Sequence, residues 1–215
     1  MDCGSKAREA GNPYRAIPHS KGAAMSNDGL LPLDEAAHLV LGSGISLALG
    51  YHPRANIELA LLAASKAVDG GGRAALLDCD RTISLSGISQ QASSRILIGH
   101  PESVEQVLLA VGSIARLPDI QLLVINRAGS LVSSFEIVAR FEEKKELWTR
   151  LGPALLGLSK SSAVLLLEDA RRTESVEYMV HPALFYVCSV ILDAAEDGKK
   201  VESYRILKKR AERTP

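Results

Sequence analysis

The chain has 215 residues, of which 47% are hydrophobic, and it carries 25 acidic and 25 basic residues. This length suffices for one well-buried core and is short for two. A formal net charge of zero excludes a general attraction to nucleic acid, so any such binding must come from a local patch. The three cysteines, Cys3, Cys79 and Cys188, are widely spaced and predict neither a disulfide framework nor a metal site.

No apolar run reaches the length of a membrane span, and the N-terminus lacks the apolar segment of a signal peptide. The sequence therefore predicts a cytoplasmic protein without a membrane partner. Residues 1–28 are rich in Gly, Ala, Ser, Pro and charge and predict a flexible N-terminal arm. Tyr14 and Ile17 are its apolar features and candidate contacts for a partner protein, whereas the alternative is plain disorder. Residues 29–215 are predicted to form a single α/β domain.

The first elements of that domain follow the order helix, strand, helix. Apolar spacing predicts a helix at Leu33–Leu41, a strand over residues 44–50 and a helix over residues 57–68. The loop between a strand and a helix is where phosphate-binding loops lie, because loop amides and the helix N-terminus attract anions.

A phosphate-binding loop at this place has the pattern G-x-x-x-x-G-K-[ST], and only the first of its diagnostic residues, Gly50, is present. Ala55 adds a Cβ where the backbone must wrap a phosphate, and Asn56 lacks the lysine cation. Ile57 lacks the hydroxyl that binds magnesium. The loop therefore predicts a degenerate nucleotide site that needs no cofactor.

Further strands are predicted at Arg73–Asp78, over residues 95–98 and at Ile120–Asn126, with a helix that Pro101 opens between the last two. In a nucleotide-hydrolysing protein of this architecture, the residue that ends the last strand is an Asp whose carboxylate holds magnesium through a water. Here that residue is the neutral Asn126. Asp78 and Asp80, close to the end of another strand, are a candidate carboxylate pair, but we do not expect them to act as a catalytic pair.

The second half predicts an amphipathic helix over residues 141–158, which Pro153 is expected to kink or split, and a strand over residues 162–167. Trp148 is predicted to be a core residue of this helix. Two further strands, over residues 183–193 and 200–207, are predicted to form a hairpin. The fold class is therefore α/β, with a mostly parallel twisted central sheet flanked by helices and a C-terminal antiparallel hairpin.

The ordered series of these segments resembles the core of the RecA recombinase family over roughly residues 30–212. The resemblance lies in GHPESVEQVLLAVGSIARLPDIQLLVINRAGSLV, GGRAALLDCD, LSKSSAVLLLEDARR, ALFYVCSVILD and SYRILKKRAERTP. It implies that Asp80 lies near the position of the family's catalytic acid. It also implies that Glu168 and Asp169 replace the Asn-Gln pair that senses the γ-phosphate.

The resemblance and the altered residues together imply a member without ATPase activity, of the kind found among SulA-like division inhibitors, ImuA-like factors and recombinase paralogues. We expect a non-catalytic accessory protein in DNA repair, recombination or damage-induced (SOS) mutagenesis. Its partner would be a RecA-type recombinase or a translesion polymerase subunit. The alternatives are a SulA-like inhibitor of cell division and an ATP-dependent recombinase with an atypical loop.

Basic residues near the C-terminus and after the strand over residues 162–167 predict weak or indirect DNA binding through phosphates, or a solvated sheet edge that resists aggregation. The candidate residues are Arg171, Arg172, Lys208, Lys209 and Arg210.

Overall fold

The computed structural model describes residues 15–16, 30–50, 56–132, 137–169, 179–180, 182–197 and 200–209. The strands are β1 (Arg15–Ala16), β2 (Leu30–Pro32), β3 (Ile45–Gly50), β4 (Arg73–Asp78), β5 (Ile96–Gly99), β6 (Ile120–Asn126), β7 (Ala163–Asp169), β8 (Met179–Val180), β9 (Val190–Asp197) and β10 (Lys200–Lys209). The helices are α1 (Leu33–Leu41), α2 (Ile57–Asp69), α3 (Gln90–Ser93), α4 (Val104–Ile114), α5 (Ile137–Leu158) and α6 (Pro182–Val187), with a 3-10 helix at Ala128–Leu131.

One sheet of eight strands organises the domain, in the order β2-β10-β9-β3-β7-β6-β4-β5. Neighbouring strands from β9 to β5 run parallel, whereas β10 runs antiparallel to both β9 and β2. This topology confirms the predicted α/β class, the mostly parallel sheet and the closing β9–β10 hairpin. The short strands β1 and β8 pair separately, antiparallel to each other.

The parallel strands are mostly apolar because both faces of the sheet are covered by helices. Residues of α4, α5 and α6 pack on one face and residues of α1, α2 and α3 on the other. Successive residues of β6 alternate between the two cores, with Leu123 and Ile125 on the first face and Leu122 and Val124 on the second. The alternation follows from the two-residue period of a strand, and it fixes the register of β6.

For three elements, the bounds predicted from the apolar runs and the polar residues that end them agree with the structure residue by residue. The strands Arg73–Asp78 and Ile120–Asn126 and the helix Leu33–Leu41 have the predicted bounds. The predicted strand over residues 183–193 is wrong in its first half, because α6 occupies Pro182–Val187 and β9 begins only at Val190. Leu184 of α6 and Cys188 instead pack into the core with α5, and a short apolar run does not distinguish a buried helix from a buried strand.

Helix α5 begins earlier than predicted and continues through Pro153 to Leu158 without being split. Pro153 lies on the exposed side of the helix, where the missing N–H leaves the packing face intact. That face presents Leu147, Trp148, Leu151, Leu155 and Leu158 to the core. Within the described ranges, no helix has both the length and the apolar character needed to cross a membrane.

Substitution of Trp148 tests this packing, because its side chain is 4% exposed. Leu109 on α4, which is 71% exposed, serves as the control. We expect Trp148→Ala to lower the free energy of unfolding by about 3–5 kcal/mol, through lost burial and the cavity left behind. The matched Leu109→Ala should change it by less than about 0.5 kcal/mol. Urea denaturation followed by circular dichroism measures both values. Equal effects of the two substitutions would contradict the placement of Trp148 in the core.

Candidate functional site

Polar residues collect at the edge of the sheet where the parallel strands end. In the register of the sheet, Gly50 of β3 lies beside Asp169 of β7, and Asp78 of β4 lies beside Asn126 of β6. The carboxyl ends of parallel strands meet at one edge, which is where open α/β sheets bind their ligands. Fold topology therefore makes this edge the candidate functional site.

The centre of the edge is a buried amide–carboxylate pair. The Asn126 Nδ2 group donates to Asp78 Oδ1 at 2.7 Å and to Thr82 Oγ1 at 3.0 Å. Asp78 Oδ2 accepts from the backbone N–H of Ile83 at 2.7 Å. Both Asp78 and Asn126 are almost fully buried, at 0% and 1% exposed. An ionised carboxylate only accepts hydrogen bonds, so Asn126 must turn its amino group toward it.

Asp80 has a different partner, the guanidinium of Arg127. The two side chains form an ion pair, with Arg127 23% and Asp80 15% exposed. Arg127 follows β6 directly in the left-handed conformation, at φ 54°, and its backbone N–H donates to the carbonyl of Leu167. Asp78 and Asp80 therefore have different partners, since Asp78 is bound by an amide and Asp80 by a cation.

A third carboxylate, Glu168, binds the backbone beyond Arg127. Its Oε1 accepts from the backbone N–H of Gly129 at 3.0 Å. A Cβ at position 129 would lie 2.8 Å from Glu168 Oε2 and 3.3 Å from Lys144 Nζ, so only glycine fits there without a shift. Glu168 therefore ties the end of β7 to the 3-10 helix after β6, with the Lys144 ammonium close by.

The carboxylates also act on Cys79, which lies among them. Burial, followed by the negative charges of Glu168, Asp78 and Asp80, raises the pKa of the Cys79 thiol from 9.0 to about 12. Burial likewise raises the pKa of Cys188 to about 12. A thiol is nucleophilic only when deprotonated, so neither cysteine is a nucleophile at neutral pH.

The loop between β3 and α2, which the sequence predicts to be a degenerate phosphate loop, is described only at its end. Ile57 starts α2, is 9% exposed and packs in the core. Position 57 is the one at which the phosphate-loop pattern has a magnesium-binding hydroxyl. Asn56 is 5% exposed and does not cap the helix with its side chain, and its Oδ1 is buried without a hydrogen-bond partner. Ala55 lies outside the described residues, and so does the side chain of Asp169.

The predicted DNA-binding residues are only partly described. Lys208 donates to the carbonyl of Phe185 and, at 2.8 Å, to that of Cys188. Its ammonium also lies 4.4 Å from the centre of the Phe185 ring. These contacts hold Lys208 within the fold and make it a poor ligand for phosphate, whereas Lys209 is exposed. Arg171, Arg172 and Arg210 lie outside the described residues, as do Tyr14 and Ile17 of the arm.

The sequence did not predict three contacts of this site, namely the ion pair of Arg127 and the hydrogen bonds of Glu168 and Thr82. Arg127 is the residue immediately after the strand that ends at Asn126, and Asp80 lies two residues beyond the strand that ends at Asp78. Opposite charges just after two strands of a sheet predicted to be mostly parallel were an available signal for an ion pair. Nothing in the sequence indicated that Gly129 and Glu168, 39 residues apart, would meet.

The sheet order, the flanking helices and the closing hairpin define the fold as a RecA-like α/β core. Among solved structures, the chain is similar to the one described as the crystal structure of the RadB recombinase. That match has a TM-score of 0.61 and 17% sequence identity, and it covers 82% of this chain and 88% of that chain. At this identity the likeness shows the fold. No protein-family model matches the sequence, and no curated protein matches it either.

The Asn126–Asp78 pair predicts a specific penalty for restoring a carboxylate at position 126. Asn126→Asp places two buried carboxylates at hydrogen-bond distance, where both cannot ionise. We expect a loss of about 2 kcal/mol or more in the free energy of unfolding at pH 7. The loss should shrink in acid, where one of the two carboxyls takes up a proton.

The exchanged variant Asp78→Asn with Asn126→Asp is the matched control. It keeps one carboxylate and one amide, and the new amide can still accept from Ile83 and donate to position 126. Urea denaturation at pH 5 and pH 7 should show that the exchange recovers most of the loss. A stable Asn126→Asp single variant at pH 7 would mean that the amide is not required by Asp78.

The raised thiol pKa values predict slow chemistry at Cys79 and Cys188. In a Cys3→Ser variant, we expect Ellman's reagent at pH 8 to react slowly with the folded protein, because both remaining thiols stay protonated and are shielded, Cys188 fully and Cys79 in part. In guanidinium chloride, both thiols of the same variant should react at once, each releasing one thionitrobenzoate from the reagent. Fast reaction of one thiol in the folded protein would contradict the raised pKa of that cysteine.

Proposed function

We propose that the chain is a non-catalytic accessory protein with a RecA-like fold, which acts through protein–protein interaction in DNA repair, recombination or damage-induced mutagenesis. The observation that carries the proposal is the hydrogen bond from the Asn126 amide to Asp78. A nucleotide-hydrolysing protein of this architecture needs a carboxylate at that strand end to hold magnesium through water. Asn126 has no charge, and its amino group faces Asp78 and Thr82, so it does not supply that carboxylate.

The charges around this pair support the same proposal. Asp80, the only candidate for a catalytic acid that the resemblance supplied, is paired with Arg127. The ion pair turns the carboxylate of Asp80 toward a cation of the protein itself. Glu168, which the resemblance aligns with the γ-phosphate sensor, adds negative charge at the same edge. At short range, two like charges repel by about 1 kcal/mol or more.

The partner proposed for this protein is a RecA-type recombinase or a translesion polymerase subunit. The fold likeness to a protein described as a recombinase supports a connection with recombination. Tyr14 and Ile17 of the arm are the proposed apolar contacts. DNA contact is proposed to be weak or indirect, because Lys208 is held by Phe185 and Cys188. The proposed location is the cytoplasm.

The second candidate function is an ATP-dependent recombinase with an atypical nucleotide loop. The same fold likeness favours it, and so does the buried Asn56 Oδ1 at the start of α2, which has no hydrogen-bond partner. A buried polar atom without a partner is costly and marks a place where a ligand or water can supply the missing hydrogen bond. ATP turnover separates the two candidates.

We expect no release of phosphate from ATP above background in the presence of magnesium, with a RecA-type recombinase as the positive control. We also expect none after Ala55→Gly, Asn56→Lys and Ile57→Thr are combined with Asn126→Asp, because the new carboxylate faces Asp78 instead of a free magnesium site. Phosphate release by the native protein that is lost on Asp80→Asn would establish the ATP-dependent alternative.

A further inference from the structure

A small groove with an apolar floor and a charged rim lies between α4 and α5, beside the 3-10 helix that follows β6. Its volume is about 200 Å³, and its described lining consists of Val104, Glu105, Leu131, Val132, Glu143, Glu146, Leu147 and Arg150. Sites for small molecules typically have volumes of about 300–1,000 Å³. The groove is therefore too small for a nucleotide and has room for a single aliphatic side chain.

The floor of the groove is apolar and continuous with the core. Leu147 is 1% exposed, and the partly buried Val104, Leu131 and Val132 pack against the same core cluster. Because Val132 and Leu131 follow Gly129, which Glu168 holds, the floor is anchored to the polar edge of the sheet. An apolar floor that packs on the core can bind an aliphatic side chain by excluding water from both surfaces.

The rim of the groove is acidic. Glu105, Glu143 and Glu146 contribute three carboxylates against the single cation of Arg150. Hydrogen bonding to its own backbone N–H, followed by Arg150, lowers the pKa of the Glu105 carboxyl, which therefore stays ionised at neutral pH. This charge pattern attracts cations and repels nucleic acid.

Arg150 indicates which ligand groups suit this rim. Its guanidinium Nη1 lies 3.0 Å from a Glu105 carboxylate oxygen and 3.9 Å from one of Glu146. All three side chains are substantially exposed, at 42%, 63% and 71%. A guanidinium or ammonium from another molecule would meet the same carboxylates, with Arg150 as an internal competitor.

We propose that this groove binds a basic segment of a partner protein, with one aliphatic side chain on the Val104–Leu131–Val132 floor and flanking Lys or Arg side chains at the glutamate rim. This inference rests on the proposed function in one respect only, namely that the partner is a protein. Peptide binding and ATP turnover are separate measurements, so the failure of either proposal is recognisable without the other.

The probe is a fluorescein-labelled pentapeptide with leucine between two Lys-Arg pairs, and fluorescence anisotropy with the full chain gives its Kd. We expect Glu105→Gln with Glu146→Gln to weaken binding at least tenfold, because the rim loses two charges. The matched control, Glu35→Gln with Glu58→Gln, removes two exposed carboxylates from α1 and α2 and should change Kd less than twofold. Arg150→Gln should tighten binding by removing the internal competitor, whereas Arg116→Gln, also exposed, should not.

A second peptide with alanine in place of leucine tests the floor and should bind at least tenfold more weakly. Thermal unfolding of each variant verifies that the fold is intact. The proposal is overturned by no binding of the leucine peptide, by equal weakening in both glutamate pairs, or by equal binding of the two peptides. A concentration-dependent dimer of the native chain that is lost in Glu105→Gln/Glu146→Gln would assign the groove to a second copy and also overturn it.

Discussion

The hydrogen bond between Asn126 and Asp78 is the constraint around which the polar edge of the sheet is built. It joins the ends of two parallel strands that have no other polar side chain buried between them in the described structure. A carboxylate without exposure to water needs its acceptors filled, and Asn126 and Ile83 fill them. The amide of Asn126 therefore has a structural role of its own, because it supplies a hydrogen bond to the buried carboxylate of Asp78.

This constraint explains why the altered residues form a consistent set. A carboxylate at position 126 would lie beside the buried carboxylate of Asp78, whereas Arg127, the next residue in the chain, already pairs with Asp80. Among the carboxylates whose contacts the structure describes at this edge, Asp78 is held by an amide, Asp80 by a guanidinium and Glu168 by a backbone N–H. These internal contacts stabilise the edge as structure and support the proposal that it does not hold a metal ion for phosphoryl transfer.

The groove between α4 and α5 lies next to this edge and connects the two parts of the proposal. Glu168 and Gly129 fix the 3-10 helix, and the residues that follow it form the floor of the groove. Under the proposed function, this surface beside the polar edge serves protein recognition instead of nucleotide chemistry. Protein recognition at that surface requires shape and charge complementarity and no chemical step.

The sequence by itself determined the fold class, the strand ends at Asp78 and Asn126 and the core position of Trp148, because apolar periodicity and the polar residues that close it act locally. It also identified the altered loop residues and Asn126. Only the tertiary structure decided that Asn126 binds Asp78, 48 residues away, that Arg127 neutralises Asp80 and that Lys208 is held by Phe185 and Cys188. It also decided that α6 is a helix, since packing against α5 rather than local pattern selects the state of a short apolar run. The physical reason is that partners distant in the chain meet only when sheet order and register are set, and no local pattern specifies either.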